Sequence, residues 1–187
     1  EKALGPAARA LAAEYALTVS YRTPATLTTL AEGVVARAGV PVLYPMTAVR
    51  DVDDCYRVTH VDAPEDAPAS SKDNSPLWRA VAQAQREAEE RLDREAGTSR
   101  GRIAIIVGAQ RARAWGADVD GETALSERVS LLSAVASKGL EFDSVILVEP
   151  AEILSDGVGD LFVALTRATH DVHVVHSAPL PAGMEEW

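Results

Sequence analysis

The chain has one cysteine, Cys55, so it can form neither an internal disulfide nor a cage of thiolates around a metal. That usage suits a reducing, cytoplasmic compartment. It also lacks any run of about 18 apolar residues of the kind that crosses a membrane. Its first residues read as a helix, with none of the basic start and apolar centre of a signal sequence. Positive charge is short: 18 Lys and Arg stand against 28 Asp and Glu, for a net charge of -10. The isoelectric point near 4.8 opposes a broad nucleic-acid footprint, so phosphate contacts must be few and local. Nowhere is there a Gly-x-x-x-x-Gly-Lys-[Ser/Thr] loop, nor an apolar strand ending in a paired Asp-Glu that would hold Mg²⁺. Glu1 in place of Met points to a piece of a longer chain.

What is present suffices for a core. The 187 residues, 47% hydrophobic and 25% charged, fit one globular domain over 1–187. Residues 4–15 read as an Ala-rich helix feeding the short strand 17–19. Thr23 and Pro24 then look like an N-cap and first-turn proline for a helix carrying Leu27, Leu30, Ala31, Val34, Val35 and Ala38 and ending at Gly39. A strand is expected over 56–61, and residues 62–75 read as a mobile loop without a face to bury. Ser75 and Pro76 repeat the cap-plus-proline start, followed by Leu77, Val81, Ala84, Ala88 and Leu92 at helical spacing up to Gly97. On that helix, Glu87/Arg91 and Glu90/Arg94 form acid-before-base pairs, each contributing about 0.2–0.5 kcal/mol. Further strands are expected over 103–107, 129–132, 145–148 and 172–175, with a helix over 161–169. Apolar strands without strict alternation, spaced by helices, indicate an α/β class with a mostly parallel sheet and helices on both faces.

Three stretches carry chemistry. Ser137-Lys138-Gly139-Leu140-Glu141-Phe142-Asp143 directly precedes the strand 145–148. A basic and an acidic side chain beside a glycine make either a loop that meets a ligand or an ordinary turn with Lys138 and Glu141 solvated. Leu161-Phe162-Val163-Ala164-Leu165-Thr166-Arg167-Ala168 sets one arginine in an apolar helical run. Its guanidinium needs a carboxylate or a phosphate, in a structural ion pair or at a site. Val19-Ser20-Tyr21-Arg22-Thr23-Pro24 puts an aromatic and an arginine between a strand end and a helix start, where open α/β sheets bind ligands.

In this order and at these junctions, the stretches resemble motifs of the C-terminal RecA-like motor domain of superfamily 1 helicases of the UvrD, PcrA and Rep kind. Ser20-Tyr21-Arg22-Thr23 resembles motif IV, residues 133–142 with Lys138-Gly139-Leu140-Glu141-Phe142 resemble motif V, and Val163-Ala164-Leu165-Thr166-Arg167-Ala168 resembles motif VI. The resemblance spans positions 17–176. Within the superfamily, residues 137–145, the short connection to 160–169, and Pro179-Leu180-Pro181 are most similar to the actinobacterial HelD group. Those are helicase-like ATPases that bind RNA polymerase, free it from stalled complexes and, in the HelR branch, protect against rifampicin.

The resemblance implies a RecA-like fold and the C-terminal half of an ATP-driven motor. It implies Arg22 and Arg167 at the γ-phosphate of ATP, a role that contributes about 10³–10⁵ in rate. Glu141 would accept from a ribose hydroxyl, Tyr21 would stack on adenine, and Gly139 would lie in the loop at the nucleotide. Lys138 would support that loop or lie near phosphate, and Ser133 and Lys138 are the nucleic-acid candidates. Mg²⁺ and the phosphate loop would belong to a preceding N-terminal motor domain, so this chain alone should not hydrolyse ATP; it has no metal site of its own. The implied partners are that motor domain, the RNA polymerase core and single-stranded DNA, with no membrane.

Departures from the translocating helicases bear on unwinding. Their motif V begins Thr-x-His, whose side chains grip single-stranded DNA, whereas Ser133 and Val135 stand here. From Arg128 to His170 the cations are Arg128, Lys138 and Arg167, against Glu141, Asp143, Glu149, Glu152, Asp156 and Asp160. A strand-tracking groove wants the reverse, which favours a protein partner. The alternatives are a conventional UvrD-like 3′-to-5′ DNA helicase and a non-catalytic interaction domain; retention of Arg22, Glu141 and Arg167 argues against the latter. His170, His173 and His176 do not suit a metal triad, because a strand sends alternate residues to opposite faces. Trp78, Trp115 and Trp187 are too scattered for a base-stacking platform and read as core or interface anchors.

Overall fold

The computed structural model describes residues 18–62, 75–117, 119 and 127–185. Along them run β1 (Val19–Ser20), α1 (Ala25–Arg37), β2 (Thr47–Ala48), β3 (Tyr56–His60), α2 (Pro76–Ala96) and β4 (Ile103–Val107). Then follow α3 (Ala109–Trp115), β5 (Val129–Ser133), β6 (Phe142–Val148), α4 (Pro150–Asp156), α5 (Val158–Leu165) and β7 (Ala168–His176). The expected helix over 4–15 and all but the ends of the expected loop over 62–75 lie outside the described residues. Among the described residues no helix is long and apolar enough to cross a membrane.

Five strands form one wholly parallel sheet in the order β3-β7-β6-β4-β5, and β1 and β2 pair in parallel as a separate small sheet. The strand runs are apolar at successive positions because both faces are covered. Ile103, Ile105 and Val107 of β4 pack with Leu77, Val81, Ala84 and Leu92 of α2, while Ala104 and Ile106 pack with Leu27, Leu30, Leu161 and Leu165 of α1 and α5. The strand period of two thus feeds two cores from one run. Each large aliphatic side chain so buried contributes about 1.5–3 kcal/mol.

Several local expectations meet their counterparts. All five apolar positions expected on α2 are buried, and the Ser75 hydroxyl accepts from the Trp78 N–H at 3.0 Å. Others are corrected. Pro24, not Thr23, is the N-cap of α1; the Thr23 hydroxyl instead donates across to the Thr166 carbonyl at 3.4 Å. The helix expected over 161–169 stops at Leu165, because the chain from Ala168 on is taken up as β7, paired with β3 and β6. Arg167 therefore sits in a tight connection and not in a helix. Trp78 and Trp115, far apart in sequence, meet edge to face with ring centres 5.1 Å apart. His173 and His176 are engaged locally, with Thr59 Oγ1 and the Ala178 carbonyl, each at 2.8 Å.

Arg91 does not pair with Glu87. It reaches Asp171 at 2.6 Å, and Arg57 of β3 reaches the other oxygen of the same carboxylate at 2.8 Å. Asp171 is 3% exposed, so this clasp fixes α2 and the edge strand β3 onto β7. Removing the acid strands two partly buried cations. Asp171→Ala is expected to destabilise the chain by about 3 kcal/mol, read as a lowered urea midpoint.

Candidate functional site

The tight link between β1 and α1 exposes two side chains. Tyr21 is 72% exposed and Arg22 lies beside it, directly before Thr23 and Pro24 lead into α1. Glu141 ends the loop before β6, and Arg167 ends the link before β7. The packing of α1 against α5 brings these segments together. They enclose an open cleft of about 310 Å³ whose walls include Tyr21, Arg22, Glu141, Phe162, Thr166 and Arg167.

Within it, Arg22 and Glu141 form an ion pair between exposed side chains. Arg167 is held differently. Its Nε donates to the Val163 carbonyl at 3.1 Å and its Nη1 to the Leu140 carbonyl at 3.1 Å. The first of these carbonyls belongs to the last turn of α5, where a cation is favoured by the negative end of the helix dipole. Partial burial, and secondly the nearby Arg22 charge, push the Arg167 guanidinium below its ordinary pKa, yet an arginine so placed stays protonated at neutral pH. The cleft therefore offers two guanidiniums to an anion and one carboxylate to a hydroxyl, beside an exposed aromatic ring.

Other residues expected from the sequence lie elsewhere. Gly139 adopts φ +79, a conformation glycine takes without strain, and does not line the cleft. Lys138 pairs with Asp160 of the first turn of α5 at 2.8 Å. Ser133 is 1% exposed; its hydroxyl donates to the Val119 carbonyl at 2.7 Å and accepts from Ala136 N–H at 3.0 Å. That hydroxyl holds the turn after β5. Sequence reasoning overlooked Arg50, whose Nη1 donates to the Thr169 carbonyl at the cleft wall at 2.9 Å.

The cleft's position is also unexpected. It opens at the carboxyl end of β1 but at the amino ends of β6 and β7. The usual ligand crevice of such a sheet lies at carboxyl ends where strand order reverses, here between β4 and β6. That place holds a cleft of about 270 Å³ whose polar groups answer one another: Arg111 pairs in two bonds with Glu152, and the Asp156 carboxylate accepts from the Ala109 N–H at 2.6 Å.

No protein-family model matches the chain, and no curated protein matches it. Among solved structures it is similar to the C-terminal domain of a possible DNA helicase from Lactobacillus plantarum, with a TM-score of 0.53 and 20% identity. That likeness covers 88% of this chain and 92% of the other. The shared fold is α/β and RecA-like, a parallel sheet with helices on both faces. A looser likeness, with TM-score 0.41 and 15% identity over 90% of this chain, is to the arterivirus nonstructural protein 10 helicase, of which it covers 27%.

The burial of Ser133 gives a separable test. Ser133→Ala is expected to lower stability by about 1–3 kcal/mol, because a buried carbonyl and N–H lose their partner. Retention on single-stranded DNA is expected to be unchanged, and a drop in retention without loss of stability would restore a contact role.

Proposed function

We propose that this chain is the C-terminal half of an ATP-driven, helicase-like motor, contributing one wall of an ATP site that an N-terminal motor domain completes. The observation that carries this reading is the convergence of Tyr21, Arg22, Glu141 and Arg167, from three distant segments, on one open cleft. In this reading Arg22 and Arg167 meet the γ-phosphate, Glu141 accepts from a ribose hydroxyl and Tyr21 stacks on the base. Phosphoryl transfer depends on positioning and charge stabilisation, which is what guanidiniums supply. The residues fit that task as half a site, since the cleft is open and the chain has no phosphate loop. Mg²⁺ would be held by the partner motor domain and would neutralise phosphate charge there.

For the parent's task we favour HelD-like remodelling or recycling of RNA polymerase complexes in the cytoplasm. Support comes from charge. Arg128 is engaged by Asp93 at 2.7 Å and Lys138 by Asp160 at 2.8 Å, so two of the three cations of residues 128–170 are already paired with carboxylates. A second reading, a UvrD-like DNA translocase, draws on the likeness to the C-terminal domain of a possible DNA helicase. Co-elution of the complete protein with core RNA polymerase, with and without ATP, separates them. A complex that ATP loosens supports the first reading, and absence of a complex beside DNA-stimulated ATPase supports the second.

Two substitutions in the complete protein test the site. Arg167→Ala is expected to abolish ATP turnover, a loss of about 10³-fold or more, while circular dichroism stays unchanged. Normal turnover in that variant would remove the assignment. Glu141→Ala is expected to weaken nucleotide binding more than it slows chemistry, as seen by comparing nucleotide affinity with kcat.

A further inference from the structure

Arg22 and Arg167 sit on different layers. Arg22 follows β1, whose partner is β2 in the separate two-stranded sheet, whereas Arg167 directly precedes β7 of the five-stranded sheet. Any ligand bridged by both guanidiniums requires that the two layers hold a fixed spacing. Two-residue strands have little stability of their own.

The segment 46–50 is tied down at each end. Met46 N–H donates to Glu32 Oε1 at 2.6 Å, and Thr47 and Val49 N–H donate to the Thr18 and Ser20 carbonyls at 2.6 and 3.0 Å. Arg50 closes the series. Its carbonyl accepts the Ala25 N–H at 2.9 Å, at the first residue of α1, three positions from Arg22. Its Nη1 donates to the Thr169 carbonyl at 2.9 Å, two positions from Arg167. One residue thus touches both arginine-bearing segments, through its backbone on one side and its side chain on the other. The Thr23–Thr166 bond spans the same seam at a longer 3.4 Å.

We propose that Arg50 is a positioning residue that sets the spacing of Arg22 and Arg167 by clamping the start of β7 to the start of α1. The proposal rests on the nucleotide reading above. Its physical basis is that guanidinium donors act on developing charge only at hydrogen-bond distance, and a displacement of about 1 Å costs up to about 10²-fold in rate. The side chain is exposed, so its loss opens the seam without emptying a core.

The test is steady-state ATPase kinetics of the complete protein carrying Arg50→Ala, Arg50→Lys or, as control, Arg167→Ala. Arg50→Ala is expected to lower kcat about tenfold while KM for ATP changes less than about threefold, because the arginines are misplaced in the transition state rather than removed from the ground state. Arg50→Lys, whose ammonium can still donate to the Thr169 carbonyl, is expected to recover most of that loss. Thermal midpoints of both variants are expected to stay within a few degrees of the parent's. Unchanged kcat in Arg50→Ala, a loss confined to KM, or a collapse in thermal midpoint overturns the positioning role. If Arg167→Ala abolishes turnover in the same assay, such an outcome removes this inference alone; if Arg167→Ala is fully active, the nucleotide reading falls and takes this inference with it.

Discussion

A parallel sheet buried on both faces meets solvent mainly at the ends of its strands. That constraint decides where chemistry can sit in this chain. At the carboxyl ends of β4 and β6 the structure answers its own polar groups. Glu149 is buried in a left-handed conformation, φ +47, of a kind that costs about 1–3 kcal/mol, and its carboxylate accepts from Ser177 N–H and hydroxyl and from Ala178 N–H. Glu152 and Asp156 line the adjoining cleft, where they hold Arg111 and the Ala109 N–H. A phosphate brought there would meet the Glu152 and Asp156 carboxylates, with the Arg111 guanidinium already paired to Glu152. The opposite ends carry Arg22 and Arg167, and there the cleft opens.

The two arginines of that cleft are prepared to different degrees. Arg167 has two of its five donors fixed to backbone carbonyls, which restricts its rotamers and leaves the remaining N–H groups for a ligand. Arg22 is exposed and paired with Glu141, also exposed, so water screens the pair and little free energy holds it. An anion of multiple charge would find one cation already placed and draw the other away from its carboxylate. In doing so it would leave Glu141 able to accept from a hydroxyl on the same ligand. On the nucleotide reading, phosphate and sugar recognition are therefore coupled through one weak ion pair.

Much of this was legible in the residues. Leu77, Val81, Ala84, Ala88 and Leu92 define the buried face of α2, because an amphipathic helix of 21 residues repeats its signal many times. The helices α3 and α4, with seven residues each, give periodicity too little length to appear. The first half of β7 was missed because Thr169, His170 and Asp171 read as polar, and only the arrival of Arg57 and Arg91 makes Asp171 acceptable inside. Tyr21, Arg22, Glu141 and Arg167, singled out by their motifs, line one cleft. The bonds from Ser133 to the Val119 carbonyl and from Arg50 to the Thr169 carbonyl were not legible, because backbone partners in another segment leave no trace in sequence spacing.

Net charge says less about partners than the account of which cations are already engaged. Arg128 donates to Asp93, to the Arg100 carbonyl and to the Glu89 carbonyl, and so fastens the start of β5 to α2. Lys138 is bound to Asp160 across the loop before β6. A groove that follows a nucleic-acid backbone gains affinity by releasing counterions as its cations neutralise phosphates. A cation already paired with a carboxylate releases fewer, because it must first give up that partner. Along residues 128–170 the electrostatic gain from a strand is therefore smaller than the sequence count suggests, whereas a protein surface can be matched by shape and hydrogen bonding without it. On the motor reading, this ordering of costs favours a protein as the cargo.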